Sequence, residues 1–228
     1  MIIVGVNTST RQGSVALVAN DEVVDQEESS SPESFSRTLL VMIDKLLSRN
    51  HGEIQDIDGF GIAVGPGSFT GIRIGLATLS GICLSRSIPV YGVSTLEAIA
   101  LSSCHSGPGT IIPMLDAGQE NAYFASFKKN GRELERLSPD RVAEISEIAK
   151  EAEANTLTLG DGAEVYREQL SLSGVGIMES NFCFSTSAGV GLLAEKMALA
   201  NVQSDIYRIK PNYMHRGSIK NYPLTLEG

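Results

Sequence analysis

The eleven residues from Gly65 to Gly75 read Gly-Pro-Gly-Ser-Phe-Thr-Gly-Ile-Arg-Ile-Gly, a spacing that suggests phosphate chemistry. Glycine permits the positive φ of a tight strand-to-helix turn, and proline stops the strand before it. Ser68 is placed to cap the helix that follows. A phosphate-binding P-loop, however, needs Gly-x-x-x-x-Gly-Lys, and no lysine stands in the run. Gly65, Gly67 and Gly71 imitate a dinucleotide fingerprint, but Ile88-Pro-Val-Tyr-Gly92 lacks the acid expected at the end of the next strand. Packing is the third use. Phe69, Ile72, Leu76, Leu79 and Cys83 follow helical spacing toward a core. Gly71, Gly75, Thr78 and Ile82 form a second stripe, whose glycines admit a close backbone, either a partner's or the protein's own.

The rest of the catalytic inventory is thin. His51, His105 and His215 share no metal-ligand spacing, so no metal site is expected. No Gly-x-Ser-x-Gly elbow is present to make a serine nucleophile. Cys83, Cys104 and Cys183 are odd in number and far apart, the pattern of reduced thiols in a cytosolic protein. Asn7-Thr8-Ser9 matches a glycosylation sequon but lies at the end of a buried-type strand. Two turns keep polar groups that could serve a ligand: Asn7 with Ser9, and Asp116 in Asp116-Ala-Gly-Gln119. Asparagine offers a carbonyl oxygen without the charge a hard cation favours. Asp116 could bind a ligand or accept turn amide hydrogens.

The elements that position these groups follow a plan that occurs twice. Residues 2–7, 14–19 and 22–28 read as strands, then 33–50 as a helix, 59–64 as a strand, 68–86 as a helix, 89–92 as a strand and 95 onward as a helix. Residues 111–116, 121–128 and 132–137 again read as strands. A helix at 141–152, a strand at 156–160, a helix at 164–170, a strand at 175–177 and a helix at 188–201 follow. Each half gives β-β-β-α-β-α-β-α, the ribonuclease-H-like plan. Two such lobes define the α/β actin-like, sugar-kinase and Hsp70 ATPase fold, in which Asn7, Ser9 and Asp116 would mark a vestigial nucleotide site. The Ser-, Gly- and Pro-rich stretch 102–109 sets the lobes at 1–104 and 105–228. The tail from 205 reads as a docking segment or a frayed end.

The helix at 33–50 is apolar nearly all round, through Phe35, Leu39, Leu40, Val41, Met42, Ile43, Leu46 and Leu47. An outer helix ordinarily keeps one polar face, so this one needs cover on both sides. With the glycine stripe it predicts a four-helix contact to a second copy or a paralogue. The expected interface is Phe35, Leu39, Met42, Ile43, Leu46, Gly71, Gly75, Thr78 and Ile82. A chain of 228 residues, 42% apolar, can bury a proper core. Its net charge of −9 disfavours a free-standing nucleic-acid binder but does not exclude a subunit whose partner carries the basic surface. No segment has the pattern of a signal peptide or membrane span, and a cytoplasmic chain is expected.

The chain resembles the TsaB (YeaZ) family through Val6-Asn-Thr-Ser-Thr10, the 65–75 run, Gly92-Val-Ser-Thr-Leu-Glu-Ala-Ile-Ala100, Met114-Leu-Asp-Ala117 and Pro211-Asn-Tyr-Met214. The matches span nearly the whole chain, and the glycine run is the most specific of them. The resemblance implies a non-catalytic accessory subunit that binds and activates a TsaD-type transferase through the two helices above. With a TsaE-type ATPase, that complex moves threonylcarbamoyl from its adenylate onto the adenosine 3′ of the anticodon in ANN-reading tRNAs. The chain would meet tRNA only through the complex and form a homodimer when alone. No cofactor of its own is implied, and ATP or ADP at the partner interface is left open. The catalytic paralogue carries metal-binding histidines in the segment matching 92–98, where this chain has none. The family's usual first motif has aspartate where Asn7 stands, which weighs against independent nucleotide hydrolysis. The alternatives are an actin-like ATPase or kinase using Asn7, Asp116 and magnesium and, on weaker grounds, a metallopeptidase.

Overall fold

Strand burial follows side-chain pattern from the first residues. The apolar runs Ile2–Asn7 (β1) and Ser14–Ala19 (β2) are buried almost throughout, whereas Glu22–Glu28 (β3) alternates exposed and half-buried positions, as an edge strand does. The computed structural model describes residues 1–29, 35–84, 86–103, 109–152, 156–177, 184–202 and 204–214. Residues 33–34 of the predicted helix, Cys104, Cys183, His105, His215, most of the expected inter-lobe stretch and the tail beyond 214 lie outside them.

The first unit continues with Phe35–Arg49 (α1), Gly59–Ala63 (β4), Phe69–Leu84 (α2), Val90–Val93 (β5) and Thr95–Ser102 (α3). Its sheet runs β3-β2-β1-β4-β5, antiparallel through the first three strands and parallel from β1 to β5. The β-β-β-α-β-α-β-α plan expected of the first half is therefore present. Helices α1 and α2 cover one sheet face, packing Leu39, Leu46 and Leu79 on Val4, Val15 and Ile62.

The second unit holds Gly109–Gly118 (β6), Asn121–Phe124 (β7), Phe127–Asn130 (β8), Glu133–Arg136 (β9), Arg141–Glu144 (β10), Ile145–Glu151 (α4), Leu157–Leu159 (β11), Asp161–Val165 (α5), Arg167–Leu172 (α6) and Gly176–Ile177 (β12). Its path is β10-β7-β6-β11-β12, with β8 and β9 forming a hairpin off β6. The sequence predicts the third strand at 132–137 and a helix from 141. Instead β10 takes the third place, antiparallel to β7, and α4 starts only at Ile145. The Arg141 guanidinium lies 4.6 Å from the centroid of Phe124, its partner in the ladder, which favours strand over helix there.

The helix predicted at 188–201 forms over Thr186–Leu199 (α7) but joins the first unit. That unit comprises Met1–Cys104 with Ser180–Tyr213, and the second comprises His105–Glu179 with Met214–Gly228. The lobe expected over 105–228 is thus shorter by this segment. Two contacts account for it. A Cβ on Gly5 would overlap the Ser187 carbonyl oxygen and the Gly191 backbone, so strand and helix meet without side chains between them. The buried Glu195 carboxylate then accepts Asn20 N–H at 3.0 Å and Asp21 N–H at 2.7 Å, holding the β2–β3 turn where both residues have positive φ. Ile3, Ala63 and Val93 of the sheet pack with Val190 and Ala194 of α7. Among the described residues, no helix is long and apolar enough to cross a membrane.

Candidate functional site

Asn7 ends β1 fully buried, and its side chain organises the turn that follows. Ser9 N–H and Ser9 Oγ reach one Asn7 side-chain atom at 3.1 and 2.7 Å. A backbone N–H only donates, so that atom is the amide oxygen. The amide nitrogen therefore faces Thr10 Oγ1 at 2.7 Å and the Gln12 carbonyl oxygen at 3.4 Å, and Thr10 Oγ1 itself donates to Gln12 O at 2.7 Å. Ser9 Oγ has given its hydrogen to Asn7, so at 2.8 Å it accepts from Thr95 Oγ1 at the start of α3. Both donors and the acceptor of the Asn7 amide are engaged within this one loop.

The glycine run closes on the same loop. Gly65 and Gly67 take φ values of 111° and 145° around a cis Gly65-Pro66 bond. Ser68 Oγ accepts Gly71 N–H at 3.1 Å, the expected cap. Ser68 N–H donates to Ser9 O, and Thr8 Oγ1 to Gly71 O, each at 2.7 Å. A Cβ on Gly67 would overlap the Ser9 carbonyl oxygen, one on Gly71 the Thr8 carbonyl oxygen, and one on Gly75 would lie 2.5 Å from Thr8 Oγ1. The close neighbour that these glycines admit is therefore the chain's own loop.

The α1 residues expected at an interface lie inside the unit. Phe35, Leu39, Met42, Ile43 and Leu46 are buried, while Thr78 and Ile82 are half-buried. The second apolar side of α1 is carried instead by Leu40 and Val41, 55% and 49% exposed. On α2, Ala77 and Gly81 are exposed and Leu84 is 70% exposed.

In the second unit, Asp116 Oδ1 accepts Tyr166 OH at 2.7 Å and Gly118 N–H at 2.8 Å. Asp116 thus accepts a turn amide hydrogen, as one of its two readings has it, through Oδ1. Burial, together with the Asp116 hydrogen bond and charge, pushes the Tyr166 hydroxyl up to about 12. Asp116 N–H donates to Asp161 Oδ1 at 3.1 Å. Sequence reasoning missed Lys129, buried on β8, whose ammonium burial pulls down to about 8. The buried-exposed alternation of Phe-Lys-Lys-Asn over β8 is the signal that sets it inward beside Phe127. It also missed a stack at the start of α2. The Arg73 guanidinium lies 3.7 Å from the Phe69 ring centroid and 5.6 Å from that of Tyr213, its Nε donates to Tyr213 OH at 3.0 Å, and the rings are 4.6 Å apart. The spacing of Phe69 and Arg73 is visible in sequence, but Tyr213 comes 140 residues after Arg73.

A family model described as TsaD, tRNA N6-adenosine threonylcarbamoyltransferase, matches residues 26–212. The tRNA threonylcarbamoyladenosine biosynthesis protein TsaB of Escherichia coli (strain K12) is 24% identical over 221 residues, 94% of each chain. The solved structure of YeaZ from Pseudomonas aeruginosa superposes with a TM-score of 0.80 at 21% identity, over 93% of this chain and 99% of that one. A ROK hexokinase from Thermus thermophilus gives 0.50 at 11% identity, over 88% of this chain and all (100%) of the other. The last two likenesses are of fold: α/β, with two ribonuclease-H-like lobes of the actin-like, sugar-kinase and Hsp70 ATPase kind.

Proposed function

Because the chain belongs to the TsaD family, on its TsaB (YeaZ) branch, we propose that it is a non-catalytic accessory subunit of tRNA threonylcarbamoyladenosine formation. It binds and activates a TsaD-type transferase, the complex works with a TsaE-type ATPase, and tRNA is met only through the complex in the cytoplasm. Alone, the chain pairs with a second copy through the same helices, and any ATP or ADP sits at the partner interface. The observation that carries this reading is the exposed set Leu40, Val41, Ala77, Gly81 and Leu84 on α1 and α2, apolar or small side chains left in water. The Asn7 side chain supports it, because the polar groups that an ATPase or kinase would turn on a ligand there are committed to their own turn.

The test is reconstitution of threonylcarbamoyl transfer to tRNA from the cognate transferase and ATPase, with and without this chain. Modification that depends on the chain is expected. Equal modification without it overturns the accessory role, and nucleotide turnover by the isolated chain that Asp116→Ala abolishes overturns its non-catalytic part.

A further inference from the structure

Along α2, Phe69, Arg73, Ala77, Gly81 and Leu84 recur at intervals of four, four, four and three residues, a single stripe that is exposed throughout. Its only charged member is Arg73. That guanidinium is held by three contacts: the Phe69 ring lies under one face, the Tyr213 ring stands beside it, and Nε donates to Tyr213 OH. Tyr213 is fixed in turn, since Asn212 N–H donates to Val64 O at 2.7 Å and Ile206 and Ile209 pack against the core of the first unit. Among the described residues, no hydrogen bond or ion pair engages the two Nη atoms. The end-on edge of the guanidinium is therefore preset for a two-oxygen acceptor, with little rotamer freedom left to lose.

We infer that Arg73 is the charged anchor of the transferase contact and receives a carboxylate side chain of that partner, an assignment that rests on the accessory-subunit reading. A phosphate of tRNA has the same acceptor chemistry. A protein carboxylate fits better, because the chain carries 27 acidic against 18 basic residues and because the stripe continues into Ala77, Gly81 and Leu84. Small and apolar neighbours exclude water around an ion pair on docking, as at interface arginines that dominate binding. A tRNA backbone would instead call for further cations along the stripe.

The experiment measures affinity of the full-length chain for the cognate transferase, at low and high salt, and separately of the assembled complex for tRNA. Arg73→Ala should weaken transferase binding about 30-fold or more and flatten its salt dependence, with an unchanged thermal midpoint because the side chain is exposed. Arg73→Lys should recover part of the loss, and Tyr213→Phe, which removes the acceptor for Nε, should cost about 3- to 10-fold. If Arg73→Ala and Arg73→Glu bind like wild type while Leu40→Glu does not, the anchor is wrong and the accessory reading stands. If wild type itself does not bind the transferase, both fall. Loss of tRNA affinity at intact transferase affinity would give the acceptor to phosphate and overturn the carboxylate.

Discussion

An aspartate at position 7 would put an oxygen where Asn7 has its amide nitrogen, 2.7 Å from Thr10 Oγ1 and 3.4 Å from the Gln12 carbonyl oxygen. Thr10 has one hydroxyl hydrogen and already gives it to Gln12, so an ionised carboxylate leaves an acceptor facing an acceptor in a fully buried site. Asn7→Asp should therefore cost about 1–3 kcal/mol near neutral pH. A protonated carboxyl can donate where the amide did, which raises the folded-state value of the introduced carboxyl above the ordinary value of roughly 3.9. A raised value means stability that is present at low pH and lost as pH rises through it. Urea unfolding across pH should show the gap between wild type and variant closing toward acid; a gap independent of pH would mean that the donor is not what the loop needs. Lys129 has the opposite sign. Burial lowers its ammonium from 10.5 to about 8, so between those values the unfolded chain holds more protons and stability rises with pH. Lys129→Met should remove that rise, read as the difference in thermal midpoint between the two proteins over the same window. Parallel curves would overturn it.

Helices α1 and α2 show how much a sequence pattern can carry. The order of elements in the first half is legible because its strands and helices have distinct apolar periods bounded by turn residues. The identity of the partner across the glycine stripe is not. Spacing shows that a backbone approaches Gly71, but the loop that does so lies 63 residues away at Thr8, and only tertiary structure brings it there. The same holds within α1, where Leu39 and Leu40 are adjacent and equally apolar yet 2% and 55% exposed. In the second half, β10 reads as helix because Arg141 and Glu144 are good helix formers locally, and ladder pairing with β7 overrides that preference. The helix pair therefore predicts opposite outcomes at neighbouring positions. Leu39→Ala should cost about 2–5 kcal/mol in stability, the range for a buried leucine. Leu40→Glu should leave the thermal midpoint near wild type and prevent co-elution with the transferase. A Leu40→Glu protein that still co-elutes would remove α1 from the contact.

At the scale of the whole molecule, the first unit is discontinuous in sequence, and its completeness depends on a helix that follows residues 105–179 of the second. Without α7, the sheet face bearing Ile3, Ala63 and Val93 loses Val190 and Ala194, and the Asn20 and Asp21 amides lose the Glu195 carboxylate. A fragment ending at the lobe boundary that sequence suggests, residue 104, thus leaves that face with only Ala98 of α3 from the cluster's helices. The two segments of the first unit that flank residues 105–179, however, meet near those ends: Ser102 Oγ donates to Ser185 O at 3.0 Å. A protein in which residues 105–179 are replaced by a short Gly/Ser linker keeps every contact of the first unit, and it should melt cooperatively with native-like far-ultraviolet dichroism. Residues 1–104 alone should not. If that shorter fragment folds with equal stability, α7 is an accessory to the first sheet rather than a part of its core; if neither folds, the first unit needs the second to reach its native state.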